Sequence, residues 1–88
     1  LGEVGLQYRI LPEGLETDLD VLLASIKKSL PAGANLRASE QKPVAYGLKA
    51  LHILIVMDDK KGGSEVVEDA LGKVPGVQSV EMLEIGLL

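Results

Sequence analysis

The chain has no cysteine, no tryptophan and no phenylalanine, and its only aromatic side chains are Tyr8 and Tyr46. Without cysteine there is no disulfide, no thiolate metal ligand and no thiol nucleophile, which suits a reducing compartment. A long hydrophobic run is missing too. The longest, Leu51 to Met57, is interrupted by His52 and is far too short to cross a bilayer, so no membrane association is expected. The opening LGEVGLQYRI sets no cationic region ahead of an apolar one, so the expectation is a cytoplasmic chain without a secretory signal there. Positive charge is scarce: nine lysines and arginines face thirteen acids, for a net charge of −4. A domain that grips phosphates through a broad basic surface has the opposite balance, so direct nucleic-acid binding is not expected. The acidity by itself points to no partner, because it serves solubility in most small acidic domains.

What remains is aliphatic and strongly patterned. At 88 residues the chain is expected to form one domain, residues 1–88, near the lower size limit for a self-sufficient core. Val4, Leu6, Tyr8 and Ile10 alternate with Gly5, Gln7 and Arg9, the period of a half-buried strand that Pro12 and Gly14 end. Thr17 or Asp18 can cap a helix whose apolar stripe is Leu19, Leu22, Leu23, Ile26 and Leu30, and Pro31 and Gly33 stop it. The polar ANLRASEQK reads as an edge strand closed by Pro43, and GLKALHILIVMDD as a central one. Gly62 and Gly63 mark a loop, and Ser64 can cap a second helix with Val67, Ala70, Leu71 and Val74 inward. After a turn at Pro75 and Gly76, VQSVEMLEIGLL forms a last strand. Val80 and Met82 are expected on one side of it, Leu83 and Ile85 on the other.

The order β-α-β-β-α-β most economically gives an α+β, ferredoxin-like sandwich, a four-stranded antiparallel sheet with both helices on one face. Right-handed crossovers place the first and third strands centrally.

Catalytic chemistry has little to work with. His52 is the only histidine and stands between Leu51 and Ile53, which reads as a strand residue rather than a ligand. Asp58 and Asp59 resemble a carboxylate pair, but adjacent residues at a strand end point to opposite sides, and a solvated turn explains them. KKGGSE carries its lysines before its glycines, unlike a phosphate-binding loop, and a turn with an N-cap accounts for every residue. No serine is paired with a histidine and a carboxylate in a nucleophile motif, so an enzyme is not expected.

Tyr46, in KPVAYG, leaves two readings. The ring can fold inward over the end of the sheet, filling space in a core without other large rings and bonding its hydroxyl at the rim. Alternatively, Pro43 stiffens the chain, Ala45 leaves it bare and Gly47 permits an unusual backbone angle, so that the ring is held outward as an interface anchor.

The segment PVAYGLKALHILIVMDDKKG resembles the core signature of the translation elongation factor 1-beta family: a Pro, a small residue, an aromatic-Gly pair, a hydrophobic run and an acidic pair. LPEGLETDLDVLLASIKKSLP resembles the family's first-strand exit and first helix, and GGSEVVEDALGKVPGVQSVEML the second helix and last strand of its short archaeal form. The resemblance implies a guanine-nucleotide exchange factor that speeds GDP release from elongation factor 1-alpha during translation, without covalent chemistry or a cofactor of its own. It implies that the aromatic at Tyr46, more often Phe in the family, inserts into a pocket of the GTPase and displaces elements that hold nucleotide and magnesium. Ala45 and Gly47 would be its mount, with Lys49 following as a lysine does in eukaryotic members. A basic residue near the C-terminus, which disturbs the magnesium site in the eukaryotic factor, has no counterpart in EIGLL, where no Lys or Arg follows Lys73. Either the terminus, with Leu87 and Leu88, would then act on the partner by steric intrusion alone, or the chain would rely on Tyr46 and the surrounding loop.

The alternative is a small-molecule-binding regulatory module of the same fold that uses the PEGLETD loop. In it, Tyr46, on a different loop, would have no role. A metal carrier is disfavoured by the lack of cysteine. An RNA-binding sheet is disfavoured by the scarcity of basic and aromatic residues on the strands.

Overall fold

The computed structural model describes residues 2–58 and 64–87. Its elements are β1 (Glu3–Pro12), α1 (Leu19–Ser29), β2 (Ala34–Pro43), a short 3-10 turn (Ala45–Gly47), β3 (Lys49–Asp58), α2 (Ser64–Gly72) and β4 (Val77–Leu87). The strands form one antiparallel sheet in the order β2-β3-β1-β4, so the first and third strands are central, as right-handed crossovers require. Gly62 and Gly63, the expected loop before α2, lie outside the described residues, as do Asp59, Lys60, Lys61 and Leu88. Among the described residues no helix is long and apolar enough to cross a membrane.

The period-two pattern of the central strands decides which face is covered. Leu6, Tyr8 and Ile10 of β1 stand opposite Ile55, Ile53 and Leu51 of β3 and are buried with them. Leu19, Leu22 and Ile26 of α1, with Val67 and Leu71 of α2, close over this row to make the core. Asp18 rather than Thr17 caps α1: its carboxylate accepts from the backbone N–H groups of Asp20 (2.9 Å) and Val21 (3.3 Å).

Tyr8 is the one ring in that core, fully buried, and its hydroxyl donates to Glu68 of α2 at 3.3 Å. Burial raises the phenol's pKa above its ordinary value, and the nearby Glu68 carboxylate raises it further.

The last strand departs from simple alternation. Between Gln7 and Tyr8 the register of β4 slips: Gln7 pairs with Glu84 and Tyr8 with Met82, so Leu83 is the extra residue of a bulge. The slip puts Ile85 opposite Leu6, on the same side as Val80 and Met82, and not on the other side with Leu83 as alternation predicts.

Candidate functional site

At one end of the sheet, β2 and β3 are joined by a loop that is tied at its base. The Val44 N–H donates to the Leu48 carbonyl at 2.7 Å, and the Leu48 N–H donates to the Ala45 carbonyl at 3.2 Å. Pro43 pairs with Lys49 directly below. Tyr46 sits at the tip with φ 61° and ψ 29°, and Gly47 follows at φ 79°. Among the described residues Tyr46 is the one non-glycine residue in the left-handed region, and for a bulky side chain that is an uncommon state. Two successive left-handed residues turn the chain sharply enough to carry the ring off the sheet. Tyr46 is 95% exposed, the most exposed of the large apolar residues described, so the inward reading of the ring does not hold.

A second loop lies alongside. The Thr17 N–H donates to the Gly14 carbonyl at 3.2 Å, and the Glu13 N–H to the Gly76 carbonyl at 3.0 Å, fixing the turn that leads from β1 into α1. Leu15 projects from this turn, 67% exposed. Its Cδ2 comes within 3.8 Å of the position a Cβ would occupy on Gly47. Between the two loops runs an open groove of about 270 Å³, walled by Pro12, Gly14 and Leu15 on one side and by Gly47, Leu48 and Lys49 on the other. Asp18 and Asp20 lie along its length, and Gln41 of β2 reaches across to donate to the Asp20 carboxylate at 3.3 Å.

The residues singled out in the sequence therefore separate into two groups. Ala45, Tyr46, Gly47 and Lys49 are together at this end, all exposed, with Lys49 on the groove wall. Leu87 is also exposed but pairs with Val4, whereas Leu51, just beyond the Tyr46 loop, pairs with Ile10. Val4 to Ile10 is about 20 Å of strand at ~3.3 Å per residue, so Leu87 and Tyr46 lie at opposite ends of the sheet. Leu88 lies outside the described residues. His52 is half-buried on the uncovered face, opposite Arg9 on β1 and Glu40 on β2. Among the described residues no group of three His, Cys, Asp or Glu side chains could hold a metal ion.

Sequence reading passed over Leu15. The available signal was a leucine between Gly14 and Glu16 that belongs to neither the strand nor the helix period, and so had no core position to fill. PEGLETD and the Tyr46 loop are far apart in the chain but neighbours in the fold. The antiparallel pairing of β1 with β3 brings the two loops side by side.

Comparison with known proteins agrees over nearly the whole chain. Residues 6–88 match the family model described as the EF-1 guanine nucleotide exchange domain. The chain is 48% identical to elongation factor 1-beta of Methanococcoides burtonii over 86 residues, covering 98% of this chain and 97% of that protein. It is 39% identical to elongation factor 1-beta of Halobacterium salinarum over 88 residues, with both chains fully covered. On these sequence matches, which span nearly the whole chain, this chain belongs to the elongation factor 1-beta family of guanine-nucleotide exchange domains.

Proposed function

We propose that this chain promotes GDP release from elongation factor 1-alpha in the cytoplasm, acting through contacts alone, with Tyr46 as the wedge. The observation that carries the reading is a ring 95% exposed at the tip of a hydrogen-bonded loop, in a backbone state that a tyrosine adopts only at a cost. An exposed ring on a rigid mount binds without first giving up much conformational freedom, so most of its burial appears as affinity. Rings of this kind act as anchors that contribute about 2 kcal/mol or more when a partner buries them. Ala45 and Gly47 shape the mount, and Lys49 lies next to it on the groove wall. Leu87, at the far end, offers a separate apolar contact for the same partner.

Exchange then follows from linkage. A protein that binds the nucleotide-free GTPase more tightly than its GDP form weakens GDP by the same factor. No bond is made or broken, and no cofactor is needed. The test is to measure affinity for elongation factor 1-alpha in its nucleotide-free and GDP-bound states by titration calorimetry. The expected result is a preference of at least about tenfold for the nucleotide-free form, much reduced in Tyr46→Ala. Equal affinity for the two states would overturn the proposal, because a ligand without differential affinity shifts nothing.

A further inference from the structure

We propose that Leu15 is a second anchor for the partner that buries Tyr46, so that the recognition element is a two-loop apolar tip rather than a single ring. This inference rests on the exchange reading above. Leu15 belongs to a different loop from Tyr46, yet its Cδ2 comes within 3.8 Å of where a Cβ on Gly47, the residue next to the ring, would stand. It is 67% exposed and stands outside the core cluster, to which Leu19, at the start of the adjoining helix, belongs. Its turn is held by the Thr17–Gly14 and Glu13–Gly76 backbone hydrogen bonds, just as the Tyr46 loop is held at Val44 and Leu48. Both side chains are thus presented outward on fixed backbone. A partner surface that receives the ring must also cover Leu15 or leave an apolar side chain at its margin. The complementary feature is an apolar cleft wide enough for an aromatic and an aliphatic side chain side by side.

A purely structural role makes a different prediction. If Leu15 served only to shield Gly47 and Leu48, its truncation would lower the melting temperature and leave binding unchanged. As an anchor it contributes to affinity more than to the maximal rate, whereas the Tyr46 wedge contributes to both.

The experiment titrates fluorescent-GDP release from elongation factor 1-alpha against the wild-type chain, Leu15→Ala, Leu15→Asp and, as a control, Val66→Asp on the outer face of α2. Thermal melts are recorded for each, and binding to the nucleotide-free GTPase is measured separately. Leu15→Ala is expected to raise the half-saturating concentration about five- to tenfold with the maximal rate within about twofold of wild type. Leu15→Asp is expected to raise it further, with an unchanged melt, and Val66→Asp to behave as wild type. If both Leu15 variants bind and exchange as wild type does, the inference falls while the exchange reading stands. A wild-type chain that fails to bind the nucleotide-free GTPase would remove the exchange reading and this inference with it.

Discussion

Tyr46 combines two costs that folding alone does not explain: an apolar ring left in water and a left-handed backbone. A tyrosine at φ 61° is strained by about 1 kcal/mol, and such strain persists where the site uses it. Asparagine tolerates this conformation better. Tyr46→Asn is therefore expected to raise stability by about 0.5 kcal/mol in urea denaturation while abolishing acceleration of GDP release. Gly47→Ala is expected to lower stability by about 1 kcal/mol in the same denaturation assay. At φ 79° an alanine is strained by about 1 kcal/mol, while its Cβ would meet Leu15 only at ordinary contact distance, so the loss comes from the backbone and not from a clash. The sequence announced that something unusual stood in AYG, because a glycine after the aromatic invites a positive φ. It could not show that Tyr46 itself shares that conformation, since glycine permits many turns and only the pairing of Val44 with Leu48 selects this one.

At the level of elements, helices and central strands were legible because burial enforces their period. Leu6, Tyr8 and Ile10 could only face inward together, and Asp18 stands where an N-cap is needed. Asp18→Ala should cost about 1 kcal/mol by chemical denaturation. The bulge at Leu83 was not legible: β4 is an edge strand with little buried surface, so no apolar period pins its register. The Tyr8–Glu68 contact escaped for a related reason, as it joins a strand to a helix far along the chain. Its consequence is a pH dependence. Because burial and Glu68 raise the folded-state pKa of Tyr8, the protonated phenol's contribution is intact below the ordinary phenol value of about 10. Above that pH the unfolded chain loses the proton first, and stability falls. In Tyr46→Phe, where Tyr8 is the only phenol, phenolate absorbance should rise only together with alkaline unfolding. Phenolate appearing near pH 10 in a chain still folded by circular dichroism would contradict this.

On the scale of the molecule, the fold is elongated, with extents of 42 × 20 × 17 Å, and its helices cover one face of the sheet. The shape separates the Tyr46–Leu15 tip from Leu87 and lets the two ends meet different parts of a large partner. At a net charge of −4, recognition in the proposed reading falls to the apolar tips rather than to a broad basic surface. Moderate salt should then alter exchange only weakly, and a loss of more than about tenfold between 50 and 300 mM would point to charge pairs instead. The juxtaposition of the two loops is a property of topology. It follows from antiparallel pairing of β1 with β3, and reading either loop by itself does not reveal it. The measurement that bears most directly on the central claim is the rate of fluorescent-GDP release from elongation factor 1-alpha at saturating exchange factor, wild type against Tyr46→Ala, with matched melts. We predict that the wild type accelerates release and that Tyr46→Ala, equally folded, loses at least about 90% of that acceleration, in line with an anchor of about 2 kcal/mol. Equal acceleration by both would contradict the wedge.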